Sequence, residues 1–179
     1  MPKRVETVKA ILYMSLTANG CFARADTTHP VPSEILGNFS QTVGRVGNLI
    51  VGRHTYDLMS AQANQRGSSG VELVVVSRSR SGVEGATVTG SPLDALRHLE
   101  RNGFSTALVG GGAELDNSFL LQHLIDEIYL NIEPTLVKPN GSVIAGNLES
   151  SLRLIGTSKL GEHIVQLQYK FESGSVAVG

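Results

Sequence analysis

Short apolar runs alternate with helical patterns along this chain, and that alternation points to an α/β domain built on a central, mainly parallel sheet. Residues 8–16 read as the first strand. Residues 17–32 carry Asn, Gly, Asp, His and two prolines without periodicity, a loop long enough to be functional. A helix starts near Ser33, with Ile35, Leu36, Phe39, Val43 and Val46 on one face. Residues 48–52 and the β-branched run 71–77 read as strands, with a short helix from Arg53 between them. A turn-rich, charged stretch over 78–85 and a short strand over 86–89 follow. Ser91-Pro92-Leu93-Asp94 is a helix start, with serine as cap and proline in the first turn, and Asn102-Gly103 ends that helix. Residues 105–109 form a strand and 113–124 a helix. Ile128, Leu130 and Ile132 then alternate with Tyr129, Asn131 and Glu133, and Val165, Leu167, Tyr169 and Phe171 with Gln166, Gln168, Lys170 and Glu172. Such alternation predicts strands with one wetter face, the last of them antiparallel near the sheet edge, and hence a mixed sheet.

The 179 residues suit one domain over 1–179, with a dispensable tail at 174–179. Fifteen basic and sixteen acidic side chains leave a formal net charge of -1, which provides no field to draw the chain onto nucleic acid or an anionic membrane. No run of 18 apolar residues is present to span a bilayer. The single cysteine, Cys21, makes no internal disulfide and fits a reducing cytoplasm. His29, His54, His98, His123 and His163 never fall in ligand spacing, so no metal site is expected.

The chemistry-bearing segments sit where strands run into helices. Gly110, Gly111 and Gly112 close one strand and open a helix, where bare N–H groups and roughly half a positive charge from the helix dipole suit an anion. The run lacks the Lys and Ser or Thr of a P-loop, and Leu115 stands where a dinucleotide fingerprint wants its third glycine. A second junction carries Gly52, Arg53, His54 and Thr55, and the strand over 71–77 delivers Ser77, Arg78, Ser79 and Arg80 to the same edge. Arginine and serine there suit a ribose 2′-phosphate, which favours NADPH over NADH. A tight packed turn at the glycines and a solvated charged turn at the arginines are the plainer alternatives.

Gly52-Arg53-His54-Thr55-Tyr56, the strand ending Val76-Ser77, and Val109-Gly110-Gly111-Gly112-Ala113-Glu114 resemble, in order and spacing, the three cofactor segments of dihydrofolate reductases. The run from Ala107 through Ile125-Asp126-Glu127-Ile128 to Ile132-Glu133-Pro134-Thr135-Leu136 resembles more closely the RibD C-terminal reductases of riboflavin biosynthesis, which share that fold. The resemblance implies a three-layer αβα sandwich and an NADPH-dependent reductase, usually a homodimer, acting on a small pyrimidine-like or pterin-like heterocycle. By the same resemblance Gly110, Gly111 and Gly112, with the N–H groups of Ala113 and Glu114, cradle the pyrophosphate. Gly52 and His54 lie within the cofactor motif, Thr55 helps hold the pyrophosphate, and Arg53, Ser77 and Arg78 meet the 2′-phosphate.

The substrate half departs from the family pattern. Asn19 replaces an aspartate, Cys21 a frequent lysine, and Gly110 a glutamate, so a sugar-phosphate substrate is less expected than a simpler ring. Hydride transfer to a C=N or C=O bond needs a proton, and Asp26 and Glu34 are the candidate donors. Asn19 and Cys21 are the candidate substrate contacts, although Asn19-Gly20 also reads as a plain turn. The expected activity is therefore hydride transfer from NADPH to a heterocycle. The alternatives are a dedicated reductase of 5-amino-6-(5-phosphoribosylamino)uracil, or a non-catalytic domain that kept only the NADPH grip.

Overall fold

The computed structural model describes residues 8–22, 30–62, 70–79, 83–139, 143–144 and 148–172. In chain order the elements are β1 (Lys9–Thr17), α1 (Ser33–Val46), β2 (Asn48–Gly52), α2 (Arg53–Gln62), β3 (Glu72–Val76), β4 (Thr87–Thr89), α3 (Pro92–Arg101), β5 (Thr106–Val109), α4 (Ala113–Leu121), β6 (Glu127–Glu133), β7 (Leu152–Leu160) and β8 (Ile164–Phe171). The eight strands form one sheet in the order β4-β3-β2-β5-β1-β6-β8-β7. β1 to β6 run parallel, and β8 is antiparallel to both β6 and β7. The fold is thus the expected α/β class with a mixed sheet. The strand β7 was not anticipated, because Leu152–Leu160 is exposed along nearly its whole length and no alternation announces it.

Two apolar clusters flank the sheet. Ala10, Leu12, Ile50, Val74 and Ala107 face α3 and α4, where Leu96, Leu99, Leu115 and Phe119 meet them. Ile11, Tyr13, Val51, Val75 and Leu108 face Ile35 and Phe39 of α1 and Tyr56 of α2. That is three layers, helix pairs on either side of the sheet. Ser91 caps α3 by accepting from the N–H of Asp94 at 3.2 Å, with Pro92 in the first turn, as its sequence dictates.

The late strands hold a reversal. Two of their polar positions, predicted to be wetter, are buried, Asn131 at 0% and Gln166 at 2% exposure, whereas Val165 is 41% exposed; Lys170 and Glu172 are exposed as expected. Helix α1 covers Asn131 and Gln166 through amides. Gln166 donates from Nε2 to Asn131 Oδ1 and to Asn38 Oδ1, both at 3.0 Å, and Tyr13 donates its hydroxyl to Asn38 Oδ1 at 2.9 Å. Asn131 donates in turn to Met14 O and Ser15 Oγ. The face of α1 rotates to serve this network, so Thr42 is buried and Leu36, expected inside, is exposed.

One seam of the sheet is narrow. β2 and β5 share a single registered pair, Ile50 with Val109. The fully buried Asn48 supplies further rungs from its side chain, donating to Thr106 O at 2.7 Å and accepting from Leu108 N at 3.1 Å. At the same amino ends of the central strands, Asp126 accepts from Ala10 N at 2.8 Å and Lys9 pairs with Glu127 at 3.3 Å. The Ile-Asp-Glu-Ile motif therefore fastens β6 to β1.

Candidate active site

Chain direction creates a crevice at the carboxyl ends of β5 and β1. From β1 the chain crosses through α1 on one face toward β2; from the neighbouring β5 it crosses through α4 on the other face toward β6. Strands whose connections diverge in this way leave an opening, and ligands of open α/β sheets bind in it. β1 also outruns β5, pairing with it only as far as Leu12 and with β6 as far as Thr17.

The three glycines there answer three different demands. Gly110 has no room for a side chain, since a Cβ would come within 2.6 Å of Leu49 Cδ1 and 2.9 Å of Phe39 Cζ, and its N–H donates to Ile50 O. Gly111 has φ 108°, which side-chain-bearing residues rarely adopt, and open space where a Cβ would stand. Gly112 is the residue before α4, and its N–H donates to Thr55 Oγ1 at 3.0 Å. The Gly110 position is thus sealed by Leu49 and Phe39.

The second junction is stitched to the first. Gly52 N donates to Gly111 O at 3.0 Å, and the Thr55 hydroxyl that accepts from Gly112 keeps its own proton to donate. Ala113 and Glu114 follow in the first turn of α4, where N–H groups have no intrahelical acceptor, and both side chains are exposed. Arg53 begins α2 beside them and pairs with Asp57 at 3.0 Å, while His54 points to solvent. Ser77 follows β3 one step past the Gly52–Val76 pair, its N–H held by Thr89 O, and exposed Arg78 follows it. All three segments meet at one sheet edge.

The substrate-side candidates separate. Asp26 lies outside the described residues, as does Arg80. Glu34 is exposed on the first turn of α1; it accepts from Ser33 Oγ and lies over the β7–β8 turn, so close that a Cβ on Gly161 would meet its Cγ at 2.8 Å. Asn19 spends its amide on the chain that leaves β6, donating to Val137 O at 2.8 Å and accepting from Val137 N at 3.2 Å. Gly20, at φ 75°, completes the turn that Asn19 begins. Cys21 is buried beside it, 3.6 Å from Asn19 Nδ2.

Sequence reasoning passed over two buried carboxyl groups. Asp116, on the inner face of α4, has an Oδ1 without a hydrogen-bond partner among the described residues, and burial pushes its carboxyl up to about 7. Glu133 ends β6 opposite Thr17 with 8% exposure, and burial raises its carboxyl above the ordinary range. A carboxylate on the polar side of an alternating strand reads as solvated, which is why the pattern hid Glu133. No cluster of three His, Cys, Asp or Glu suited to a metal occurs among the described residues, and no described helix is long and apolar enough to cross a membrane.

Comparison with known proteins agrees with this architecture. The profile of the RibD C-terminal domain family matches residues 58–166. Uncharacterized protein YwjB of Bacillus subtilis is 28% identical over 171 residues, which cover 90% of this chain and 97% of YwjB. A putative riboflavin biosynthesis protein from Shewanella superposes with a TM-score of 0.74 at 20% identity, covering 92% of this chain and 99% of that one. RibD of Acinetobacter baumannii gives 0.75 at 16% identity over 94% of this chain, which spans 59% of RibD. A pyrimidine reductase-like protein from Corynebacterium diphtheriae gives 0.71 at 14% identity, with 92% of each chain covered.

Proposed function

The chain belongs to the RibD C-terminal domain family, whose members are reductase-like, and from that premise we propose that it is an NADPH-dependent reductase of a small pyrimidine-like or pterin-like heterocycle. The observation that carries this reading is the stitched pair of junctions, Gly52 to Gly111 and Gly112 to Thr55, at the divergence of β1 and β5. The residues present fit the cofactor. The open left-handed Gly111 lets backbone approach a pyrophosphate, and the first N–H groups of α4 and the Thr55 hydroxyl donate to its oxygens. Arg53, Ser77 and Arg78, at the carboxyl ends of β2 and β3, offer the guanidinium and hydroxyl groups that suit a 2′-phosphate, and the Glu114 side chain is exposed. When bound, the nicotinamide supplies the hydride; the protein positions the ring and provides the proton.

A dedicated phosphoribosylamino-uracil reductase is the weaker reading. The Gly110 position is sealed by packing, and Asn19 is occupied in holding Val137. We further propose that residues 1–179 act as one cytoplasmic domain and pair as a homodimer. Calorimetric titration with NADPH tests the cofactor assignment. Wild type is expected to bind at micromolar strength and Gly111→Val at least tenfold more weakly, because a side chain there meets both a forbidden φ and the ligand's space. Unchanged affinity in the variant would sink the assignment.

A further inference from the structure

We propose that Glu133 is the proton donor of the substrate pocket, its carboxyl meeting the ring nitrogen or oxygen of the heterocycle. The inference rests on the reductase reading above and deepens it. Asn131 faces α1, as its bonds through Gln166 to Asn38 show, and Glu133 lies two residues farther along the same strand on the same face. It therefore stands at the crevice end of a wall made of Tyr13, Ser15, Asn131 and Gln166. Its carboxylate makes no hydrogen bond or ion pair among the described residues, unlike Glu127 at the other end of β6, which is held by Lys9.

Other carboxyls are placed for different work. Asp116 is on the opposite side of the sheet, in the α4 layer, and Glu34 is exposed against the β7–β8 turn. Glu133 alone among these three combines burial with a place at the carboxyl end of a central strand. Among the titratable side chains on the surrounding segments are Tyr13 on β1, Cys21 beside the paired Thr17, Glu34 on α1, and Glu162 and His163 in the β7–β8 turn. Desolvation raises the Glu133 carboxyl above the usual carboxylate range, the direction that favours a proton donor.

The step balances. A hydride carries two electrons from the nicotinamide to the electrophilic carbon of a C=N or C=O bond, oxidising the cofactor and reducing the substrate. The nitrogen or oxygen takes the proton of Glu133, and solvent reloads the carboxylate through the small opening that its 8% exposure leaves.

Wild type, Glu133→Gln and the control Glu149→Gln, an exposed carboxyl outside every proposed site, are compared in three measurements, with thermal melts verifying the fold. NADPH affinity is expected to agree within about twofold in all three, since neither carboxyl lies in the cofactor segments. 2,4-Diaminopyrimidine, whose ring edge pairs with a carboxyl, is expected to bind wild type and Glu149→Gln alike, and Glu133→Gln roughly tenfold more weakly. NADPH oxidation with a pyrimidine and pterin panel is expected to fall by about 10² or more in Glu133→Gln alone. Diaminopyrimidine that fails to bind wild type, or that binds Glu133→Gln equally, overturns the proposal, as does undiminished turnover in that variant. Failure of wild type to bind NADPH overturns the reductase reading instead, and the diaminopyrimidine arm then still decides whether Glu133 is a ligand group.

Discussion

At the residue scale, Asp116 makes the stability of this chain pH-dependent in an uncommon direction. Burial carries its carboxyl up to about 7, so at mildly acidic pH the folded chain keeps a proton that the unfolded chain has lost. That contribution is complete below about pH 4 and disappears as pH rises through 7. Glu133 shifts the same way and adds to the trend. Asp116→Asn is therefore expected to be near neutral at pH 5 and to stabilise the chain at pH 8 by on the order of 1–3 kcal/mol, read by urea denaturation at both values. An unchanged difference between the two pH values would refute this account. Single residues were legible in the sequence when their type has few uses. The glycines announced a strand-to-helix turn because only they tolerate a φ of 108° at one position and a 2.6 Å approach at another. Carboxylates have many uses, and nothing in the sequence separates Glu133 from a solvated neighbour.

At the element scale, periodicity identified the strands but not which of their faces is covered. Alternation along β6 and β8 marks two unlike faces, and the ordinary inference that the polar one is wet fails because α1 brings its own amide to it. Asn38 and Thr42 on α1 are the only sequence trace of this, and the apolar stripe chosen through Leu36 obscured it. The network fixes how α1 sits on the sheet, since each amide must find its partner before burial is tolerated. Gln166→Met keeps the volume but removes the donor to the buried Asn131 Oδ1, and is expected to cost about 1–3 kcal/mol in chemical denaturation. A loss near zero would mean that the network contributes nothing to holding α1. β7 escaped notice for the opposite reason: an edge strand with little buried surface needs no apolar pattern at all.

At the scale of the whole molecule, the proposed homodimer has a surface rationale beside the resemblance. Leu152, Leu154 and Val165 are 39, 50 and 41% exposed along β7 and β8. Apolar side chains gathered on an outer hairpin are a surface that a second copy would cover. Sedimentation is expected to show a dimer for wild type and a monomer for Leu154→Lys; a monomeric wild type removes the idea. The sheet also has a structural asymmetry. Between β2 and β5 the backbone ladder shrinks to one registered pair, and the other hydrogen bonds across it are those of the Asn48 amide, Gly52 and Gly110, while Ile50, Val51, Val74 and Val75 pack against α1, α3 and α4. Hydrogen bonding within the sheet is therefore thinnest along this seam, and the proposed cofactor would lie across it. A ligand so placed should act as a brace. Amide hydrogen exchange at Gly52, Leu108 and Gly110 is expected to slow on NADPH addition far more than exchange within β1 and β6, so the opening rate of this seam would report occupancy even where no chemistry follows.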